Sequence, residues 1–572
     1  MIKKQTHQRS AHGTAVSSAR LSDTTGSRKS AFPSPVTPVY SRSTGNGIFP
    51  QGVVVNPTGK ALFRGHVGAS ALCRCLQKLS LRVPLLTVLM VVLSPVPAQA
   101  RDLVWHPSDL LSNDWNASFF GVTNWLGSLP MNGDSLFFGD AATPSFTINN
   151  DFSDIDLENI VFQSSLDFNH TITGNQIDLK APSLGDGITN NSDGVMTINN
   201  ALSLQGTGAI TFKTFFGHRQ LHLNGNITNN ADFIKTGAGF LHLGGDNSGM
   251  NGDIFIQEGT ITLGSGNALS DATTVDISSG AKLFLAGTTE DFGGLSGAGH
   301  LDLSGGADAK VGFNNATTTF SGTIFGNGSF EVSSGTLTLS GDNTYSGGTT
   351  ISDAGTIQIS KASNLGTGDL NFGGGGGQLS TSGNIAFNGA TKLSDDVDAR
   401  FDVDSGELIL NGKISGSSSL TKFGEGTLSL GNNNENTGNV TILEGTLSLL
   451  TSNALADSVD VTVEFGATFA LNGRSDTINS LSNGPGTVGG TVDLGNGSSS
   501  NGLTIAGGNA HFAGTIIGDG SLTKIGSGDQ VLSGDNTYTG GTNINGGVLT
   551  IFGNQALGTG GLSFNGGTLD TG

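Results

Sequence analysis

The sequence predicts an all-β fold, a parallel β-solenoid in which each coil takes about twenty residues. Three observations predict it. A segment recurs four times, a second strand of the same type follows each copy at a nearly fixed distance, and short stretches alternate apolar with polar residues. Self-similarity at this period is typical of a solenoid, in which each repeat is a structural unit stacked on its neighbours.

The recurring segment is clearest at Ser419–Leu428, which reads SLTKFGEGTL, and at Ser521–Gly528, which reads SLTKIGSG. Weaker copies occupy Ile234–Leu241 and Ser329–Leu337. A second strand follows each copy, and the distance between matching glycines gives the period. These glycines are 20, 20, 19 and 19 residues apart: Gly239 and Gly259, Gly335 and Gly355, Gly426 and Gly445, Gly528 and Gly547.

The stretches between the glycines read as strands with one buried and one solvated face. Examples are His300–Ser304, Thr356–Ser360 and Glu407–Asn411, and alternation of this kind is the period of a half-buried strand. Glycine accounts for 91 of 572 residues; with Asn and Asp it suits corners that need positive φ. The 472 residues after position 100 allow roughly two dozen coils, a rod on the order of 100 Å long.

Charge divides the chain in two. Residues 1–100 contain 12 Lys/Arg and one Asp/Glu, whereas residues 101–572 contain 14 Lys/Arg and 45 Asp/Glu, a formal charge of −31. Such asymmetry is typical of a targeting segment followed by a mature domain. Nucleic acid and anionic lipid would repel the acidic part, so we expect no nucleic-acid partner.

The targeting segment has the three parts of a secretory signal peptide. Residues 83–93 form an uncharged apolar run after Arg82, and the small-residue pattern Ala98-Gln-Ala100 follows. We therefore interpret 83–100 as the apolar core and cleavage site, and 1–82 as a basic, disordered or mis-assigned N-terminal extension. Both cysteines, Cys73 and Cys75, precede the expected cleavage, which leaves the mature chain no disulfide or thiol nucleophile.

Two motifs add a family resemblance. The LTKxGxGTLxL strand and the GDNTYxGGT turn, present at 341–349 and 534–542, resemble the passenger-associated repeat of bacterial autotransporters. So do the closing segments Asn453–Leu455 and Asn364–Gly368. The resemblance is specific in residues 329–368, 419–456 and 521–560 and weaker in 231–270. The region around Trp105, Trp115 and Trp125 also resembles the start of such passengers.

This resemblance implies a right-handed parallel β-helix that is secreted or displayed on the cell surface, after export through the periplasm and across the outer membrane. It implies a Trp-rich cap with the first coils in 101–230 and the repeat-containing β-helix in 231–572. It also implies an outer-membrane β-barrel translocator as a partner. Because the sequence stops at Gly572 within a repeat and shows no barrel strands, we expect a truncated chain, a separately encoded barrel, or export by another route.

An acidic cluster is the strongest candidate for chemistry. Carboxylates this close could bind Ca²⁺ or act as acid and base on a polysaccharide. However, they alternate with Val397, Phe401 and Val403, which favours the solvated face of a strand. The cluster consists of Asp395, Asp396, Asp398, Asp402, Asp404 and Glu407.

Three further motifs carry weaker signals. Gly133–Leu136 reads GDSL like an esterase nucleophile block, but no helix or matched Asp-x-x-His follows it. His218 and His222 are spaced to share a strand face, without a third metal ligand. Gly373–Gly377 lacks the Lys-Ser/Thr of a phosphate loop and is better explained as a flexible corner.

The sequence therefore predicts a secreted or surface-displayed structural passenger that is not an enzyme and that presents an adhesive or recognition surface. We assign no catalytic, cofactor-binding or metal-binding residue and expect a monomer. Its expected partners are glycans or proteins on host or neighbouring cells. The alternative is a carbohydrate-active or esterase-like enzyme on the same scaffold. Such an enzyme should concentrate carboxylates, Lys/Arg and His on neighbouring coils, and no such cluster is evident.

Overall fold

The structure is a computed structural model that describes residues 53–55, 61–63, 102–104, 118–119, 122–123, 129–138, 146–153, 155–163, 169–180, 186–206, 208–394, 397–486, 488–496 and 499–572. The signal peptide, both cysteines, the three tryptophans, His106, Asp395 and Asp396 lie outside these residues. The assignments of 1–82 and 83–100, and of the Trp-rich cap, therefore stay predictions.

The chain divides into two units, residues 1–87 and 88–572. In the first, Val53–Val55 pairs antiparallel with Ala61–Phe63. In the second, Ser118–Phe119 and Val122–Thr123 form another antiparallel pair, and the remaining described strands pair in parallel. Among the described residues, no helix is both long enough and apolar enough to span a membrane.

The described parallel strands between residues 102 and 572 wind as a three-faced solenoid of about 20 turns. Each coil crosses face 1, then face 2, then face 3, and pairs in register with the coils on either side. Phe233–Thr236, for example, lies on face 1, Phe240–Leu243 on face 2, and the next face 1 strand, Ile254–Ile256, pairs with the first. On face 3 a strand is replaced in some coils by a turn, as at Asn247–Met250.

The strands on face 1 are Asp102–Val104, Asp134–Phe138, the second half of Ile155–Phe162, Asp186–Asn190, Ile210–Thr214, Phe233–Thr236, Ile254–Ile256, Thr274–Ile277, Gly294–Gly297, Thr317–Phe320, Thr336–Leu339, Thr356–Ile359, Gly377–Ser382, Asp398–Ser405, Ser419–Phe423, Val440–Ile442, Asp460–Val463, Ser480–Ser482, Ala510–Phe512, Asp529–Leu532, Val548–Ile551 and Thr568–Asp570.

The strands on face 2 are Phe146–Asn150, His170–Gly174, Val195–Ile198, Gln220–Leu223, Phe240–Leu243, Thr260–Leu263, Lys282–Phe284, His300–Leu303, Thr323–Gly326, Ile385–Phe387, Glu407–Leu410, Thr427–Leu430, Thr446–Leu449, Thr468–Ala470, Thr491–Asp493 and Thr515–Ile517. The strands on face 3 are the first half of Ile155–Phe162, Ile177–Lys180, Leu202–Gln205, Ile227–Asn229, Glu290–Phe292, Ala309–Val311, Phe330–Val332, Thr349–Ile351, Leu370–Phe372, Thr391–Leu393, Ile414–Gly416, Asp476–Ile478, Gly502–Ile505, Ser521–Lys524, Thr542–Ile544 and Leu562–Phe564.

The core is a set of apolar columns that run through the stack. In the strand Thr427–Leu430, Leu428 and Leu430 are buried, and they are in register with Leu447 and Leu449 on the next coil. One coil has only its own strands to cover these side chains, so burial comes from stacking. The alternation that the sequence shows therefore separates inside from outside.

Glycine is required where one coil passes closely over another. Gly259 and Gly445 have φ of +73° and +62°. A Cβ at Gly259 would lie 2.4 Å from the carbonyl oxygen of Gly239, and one at Gly445 would lie 2.3 Å from that of Gly424. Both the left-handed backbone and the missing side chain are needed, which explains why this glycine recurs.

The predicted fold class, an all-β parallel solenoid, is confirmed. The described residues contain no α-helix, and their one short helical turn is the 3-10 segment Ala362–Leu365. The Gly373–Gly377 run is a corner between faces 3 and 1, with φ of +76° at Gly375 and +77° at Gly376.

The recurring motif occupies two rotational settings. In the copies that begin near Phe233 and Leu420, its first strand lies on face 1 and its second on face 2. In the copies near Phe330 and Leu522, the first strand lies on face 3 and the second on face 1 or its continuation. The motif therefore forms a corner of the solenoid in both settings, and it does not mark one functional face.

Burial predicts which residues carry stability. Leu428→Asp should cost roughly 3–5 kcal/mol, because it buries an unpaired carboxylate and opens a gap in the column. The exposed Asp404, replaced by Ala, should change stability by less than about 0.5 kcal/mol. Thermal melts and limited proteolysis of both variants measure this, and the Leu428→Asp damage should stay within a few coils. A Leu428→Asp protein that melts like the parent would overturn the inside–outside assignment.

Candidate binding surfaces and buried charges

The structure disperses the acidic cluster around a coil. Asp402 and Asp404 lie on the outer side of face 1, whereas Glu407 lies on face 2 and accepts a hydrogen bond from the Ser429 hydroxyl at 2.5 Å. Asp398 points outward near the other end of its strand, where it accepts from the Thr421 hydroxyl at 2.7 Å. The alternation predicted for a solvated strand face is therefore present, and only two of the described carboxylates stay together.

Asp402 and Asp404 line a groove of about 410 Å³ on face 1. Asp402 accepts hydrogen bonds from Gln378 Nε2 at 3.3 Å and from the Ser380 hydroxyl at 3.2 Å. The groove crosses four coils and is floored by Leu339, Ile359 and Thr381.

In the GDSL segment, Gly133 lies in a turn and residues 134–136 lie in the strand Asp134–Phe138. Asp134 and Ser135 are 2% and 5% exposed. Asp134 Oδ2 accepts from the backbone N–H of Met131 at 2.8 Å, and the Ser135 hydroxyl accepts from Asn159 Nδ2 at 3.2 Å. A serine nucleophile of the esterase type sits instead on a sharp turn that begins a helix.

The two histidines paired in the sequence are not paired in space. His218 lies in a turn, with Nε2 3.3 Å from Asp193 Oδ1. His222 is in register with His242 on the next coil, and their ring centres are 5.1 Å apart; partial burial lowers the pKa of both. Among the described residues, no three His, Asp or Glu side chains come together as a metal site.

Sequence reasoning missed the role of the motif's asparagine. In each copy its side chain is buried and bridges two neighbouring coils. The Oδ1 atom accepts a backbone N–H from the preceding coil and the Nδ2 group donates to a carbonyl of the following coil, at 2.5–2.8 Å. The four residues are Asn247, Asn343, Asn434 and Asn536. Their exact recurrence in the sequence was the available signal.

The motif's lysine is also buried. Lys235 and Lys422 are fully buried. The Nζ of Lys235 donates to the carbonyl oxygens of Thr236, Gly237 and Glu258 at 2.6–3.1 Å. Lys422, two repeats later, makes the three equivalent bonds. Burial lowers the pKa of Lys235 to about 7 and that of Lys422 to about 8. Each lysine therefore ties together carbonyl groups of two neighbouring coils at a corner.

Two buried acids hold the turn that closes a repeat. Glu290 accepts the backbone N–H groups of Ala268 and Leu269 at 3.3 and 2.6 Å, and Asp476 accepts those of Ala454 and Leu455 at 2.6 and 3.3 Å. Burial raises the pKa of Glu290 to about 8 and that of Asp476 to about 7. They are structural groups, because each lies beneath the surface and faces the neighbouring coil's backbone.

Comparison with known proteins finds the same repeat that the sequence motif indicates. The family model described as "Passenger-associated-transport-repeat" matches residues 233–263, 333–359, 420–449 and 522–551, so the resemblance to autotransporter passengers is confirmed. A curated relative is the "Adhesin BmaC autotransporter" of Brucella suis biovar 1 (strain 1330), 32% identical over 276 residues. The match covers 44% of this chain and 8% of that protein. No solved structure matches the chain.

The buried acids predict a pH dependence. The folded-state pKa of Glu290 lies above its ordinary 4.5, so the unfolded chain loses this proton at a lower pH than the folded chain does. The contribution of Glu290 to the free energy of unfolding is therefore largest below about pH 4.5 and is lost as the pH rises through about 8. In Glu290→Gln the amide oxygen can still accept from the Leu269 N–H, the shorter of the two contacts, and the side chain does not titrate. Relative to this variant, the parent should lose roughly 1–3 kcal/mol between pH 5 and 8.

Hydrogen exchange of the backbone amides around 268–290 at several pH values measures that difference. Asp308→Asn serves as the control, since Asp308 is an acid of the same stack whose carboxylate contacts the half-buried Ser329 at the surface. Equal pH profiles for the parent and Glu290→Gln would contradict the assignment.

Proposed function

We propose that the chain is the passenger part of an autotransporter and that it acts by adhesion, as a rod that presents binding surface without an active site. The observation that carries this proposal is the fourfold passenger repeat, together with a relative whose name is adhesin. The repeat and the relative indicate a surface-displayed or secreted protein. The partners would be glycans or proteins on host or neighbouring cells, with an outer-membrane translocator for export.

The structure supports a scaffold role in physical terms. The recurrent Asn, Lys and Gly residues of the motif face neighbouring coils, so the most repetitive part of the sequence serves stacking. The outer residues differ from coil to coil and are therefore free to specify a ligand. Because the described part of the chain holds no cluster of three potential metal ligands, and its buried acids face backbone N–H groups, binding is a better account than turnover.

Beads coated with the purified chain test this proposal on epithelial cells and on neighbouring bacteria. We expect the beads to attach, and we expect soluble chain to compete with this attachment. Beads coated with Leu428→Asp protein should attach less, because that variant loses a few coils. The same protein is incubated with polysaccharides and acyl esters. Turnover that Asp402→Asn and Asp404→Asn abolish, without attachment, would contradict the proposal and support the enzyme alternative.

A further inference from the structure

The groove on face 1 is the place where the otherwise regular stack changes. Two of its strands, Gly377–Ser382 and Asp398–Ser405, have six and eight residues, whereas the two before them, Thr336–Leu339 and Thr356–Ile359, have four. The sheet therefore widens over these coils, and the groove of about 410 Å³ lies along the wider part.

Two columns of polar side chains line the groove. In the first column each residue is in register with the next on successive coils, and the second column stands two positions further along each strand. The first column consists of Thr338, Gln358, Ser380 and Asp402. The second consists of Ser340, Ser360, Ser382 and Asp404. Coils at about 4.8 Å spacing thus present a repeating array of hydroxyl, amide and carboxylate groups.

A β-bulge directs one of these side chains. Thr381 pairs with Val403, but Ser382 pairs with Ser405, so Asp404 is the extra residue on its strand. Bulges kink a strand, re-aim a side chain and are over-represented next to functional sites. Asp404 is exposed and lines the groove.

An unsatisfied hydroxyl lies in the floor. Thr381 is 2% exposed and occupies a position that is apolar on the neighbouring coils, where Ile359 and Val403 stand. Its hydroxyl has no hydrogen-bond partner among the described residues. A buried hydroxyl without a partner costs stability, and valine would fill the same space at less cost. The unsatisfied hydroxyl lies on the inner side of the strand, and it marks a departure from the apolar column directly beneath the groove.

The chemistry of the lining selects the ligand. None of the described residues that line the groove is Lys or Arg, and the two carboxylates lie in a segment of net charge −31. Sulfated, phosphorylated and sialylated ligands are therefore repelled. Hydroxyl, amide and carboxylate side chains suit a ligand rich in hydroxyl groups that both donate and accept.

We propose that this groove binds a neutral oligosaccharide, laid along the stack so that successive sugars meet successive coils. The inference rests on the proposed adhesive function and names the ligand class for it. The Asp402 and Asp404 carboxylates accept from sugar hydroxyls, and Gln358 and the serines donate and accept.

The test is binding of the purified chain to an array of neutral, sialylated and sulfated oligosaccharides, followed by calorimetric titration with the best neutral ligand. Gln358→Ala and Asp404→Ala should each weaken binding about tenfold or more, and Ser360→Tyr should abolish it by filling the groove. These positions are exposed, so melting temperatures should not change. The control is Gln257→Ala, an exposed glutamine after a face 1 strand outside the groove.

Binding of neutral glycans that only the groove variants lose supports the proposal. A preference for anionic glycans, groove variants that bind like the parent, or binding that a calcium chelator abolishes would each overturn it. Coated beads separate this proposal from the adhesive function. If parent beads attach to cells and groove variants attach equally, the groove assignment fails alone; if parent beads do not attach, the adhesive function fails.

Discussion

Each coil of this protein depends on its two neighbours for the hydrogen bonds of its corner backbone. The asparagine of every motif copy accepts from one coil and donates to the other within 2.8 Å, and the buried lysines and acids do similar work with carbonyl and N–H groups. Unpaired backbone groups in a dry corner would be costly. A coil is therefore stable only when neighbouring coils satisfy its corner backbone. The motif recurs in the sequence because each such corner needs the same hydrogen-bonding side chains.

That constraint separates the residues that build the rod from those that give it a surface. The same motif serves at two rotational settings, so its recurrent residues cannot all face one ligand. Outward-facing side chains do not take part in these corner contacts. They differ along the stack, from the histidine pair at His222 and His242 to the hydroxyl and carboxylate columns on face 1. Such positions can specify a ligand without disturbing the core.

The sequence was sufficient for the class of fold, because twenty-residue spacing and strict alternation each report a property of every coil. It was insufficient for the polar interior. Lys422 stands two residues after the apolar Leu420, a spacing that places both on one side of a strand, yet a lysine reads as a surface residue unless its carbonyl partners are known. The acidic cluster is a different case. Its carboxylates are close in sequence, but a corner between Asp404 and Glu407 places them on different faces of the solenoid. The groove depends on coils up to 66 residues apart in sequence, from Thr338 to Asp404, and only their register brings them together.

The register of the stack can be measured directly by disulfide cross-linking. In a chain with Cys73 and Cys75 replaced by serine, Thr427→Cys with Thr446→Cys places two cysteines in register on adjacent coils, at about the 4.8 Å spacing that a disulfide accepts. Thr427→Cys with Thr468→Cys places them two coils apart, beyond reach. We expect oxidative cross-linking of the first pair and not of the second. Equal cross-linking of both pairs, or of neither, would contradict the register of the stack.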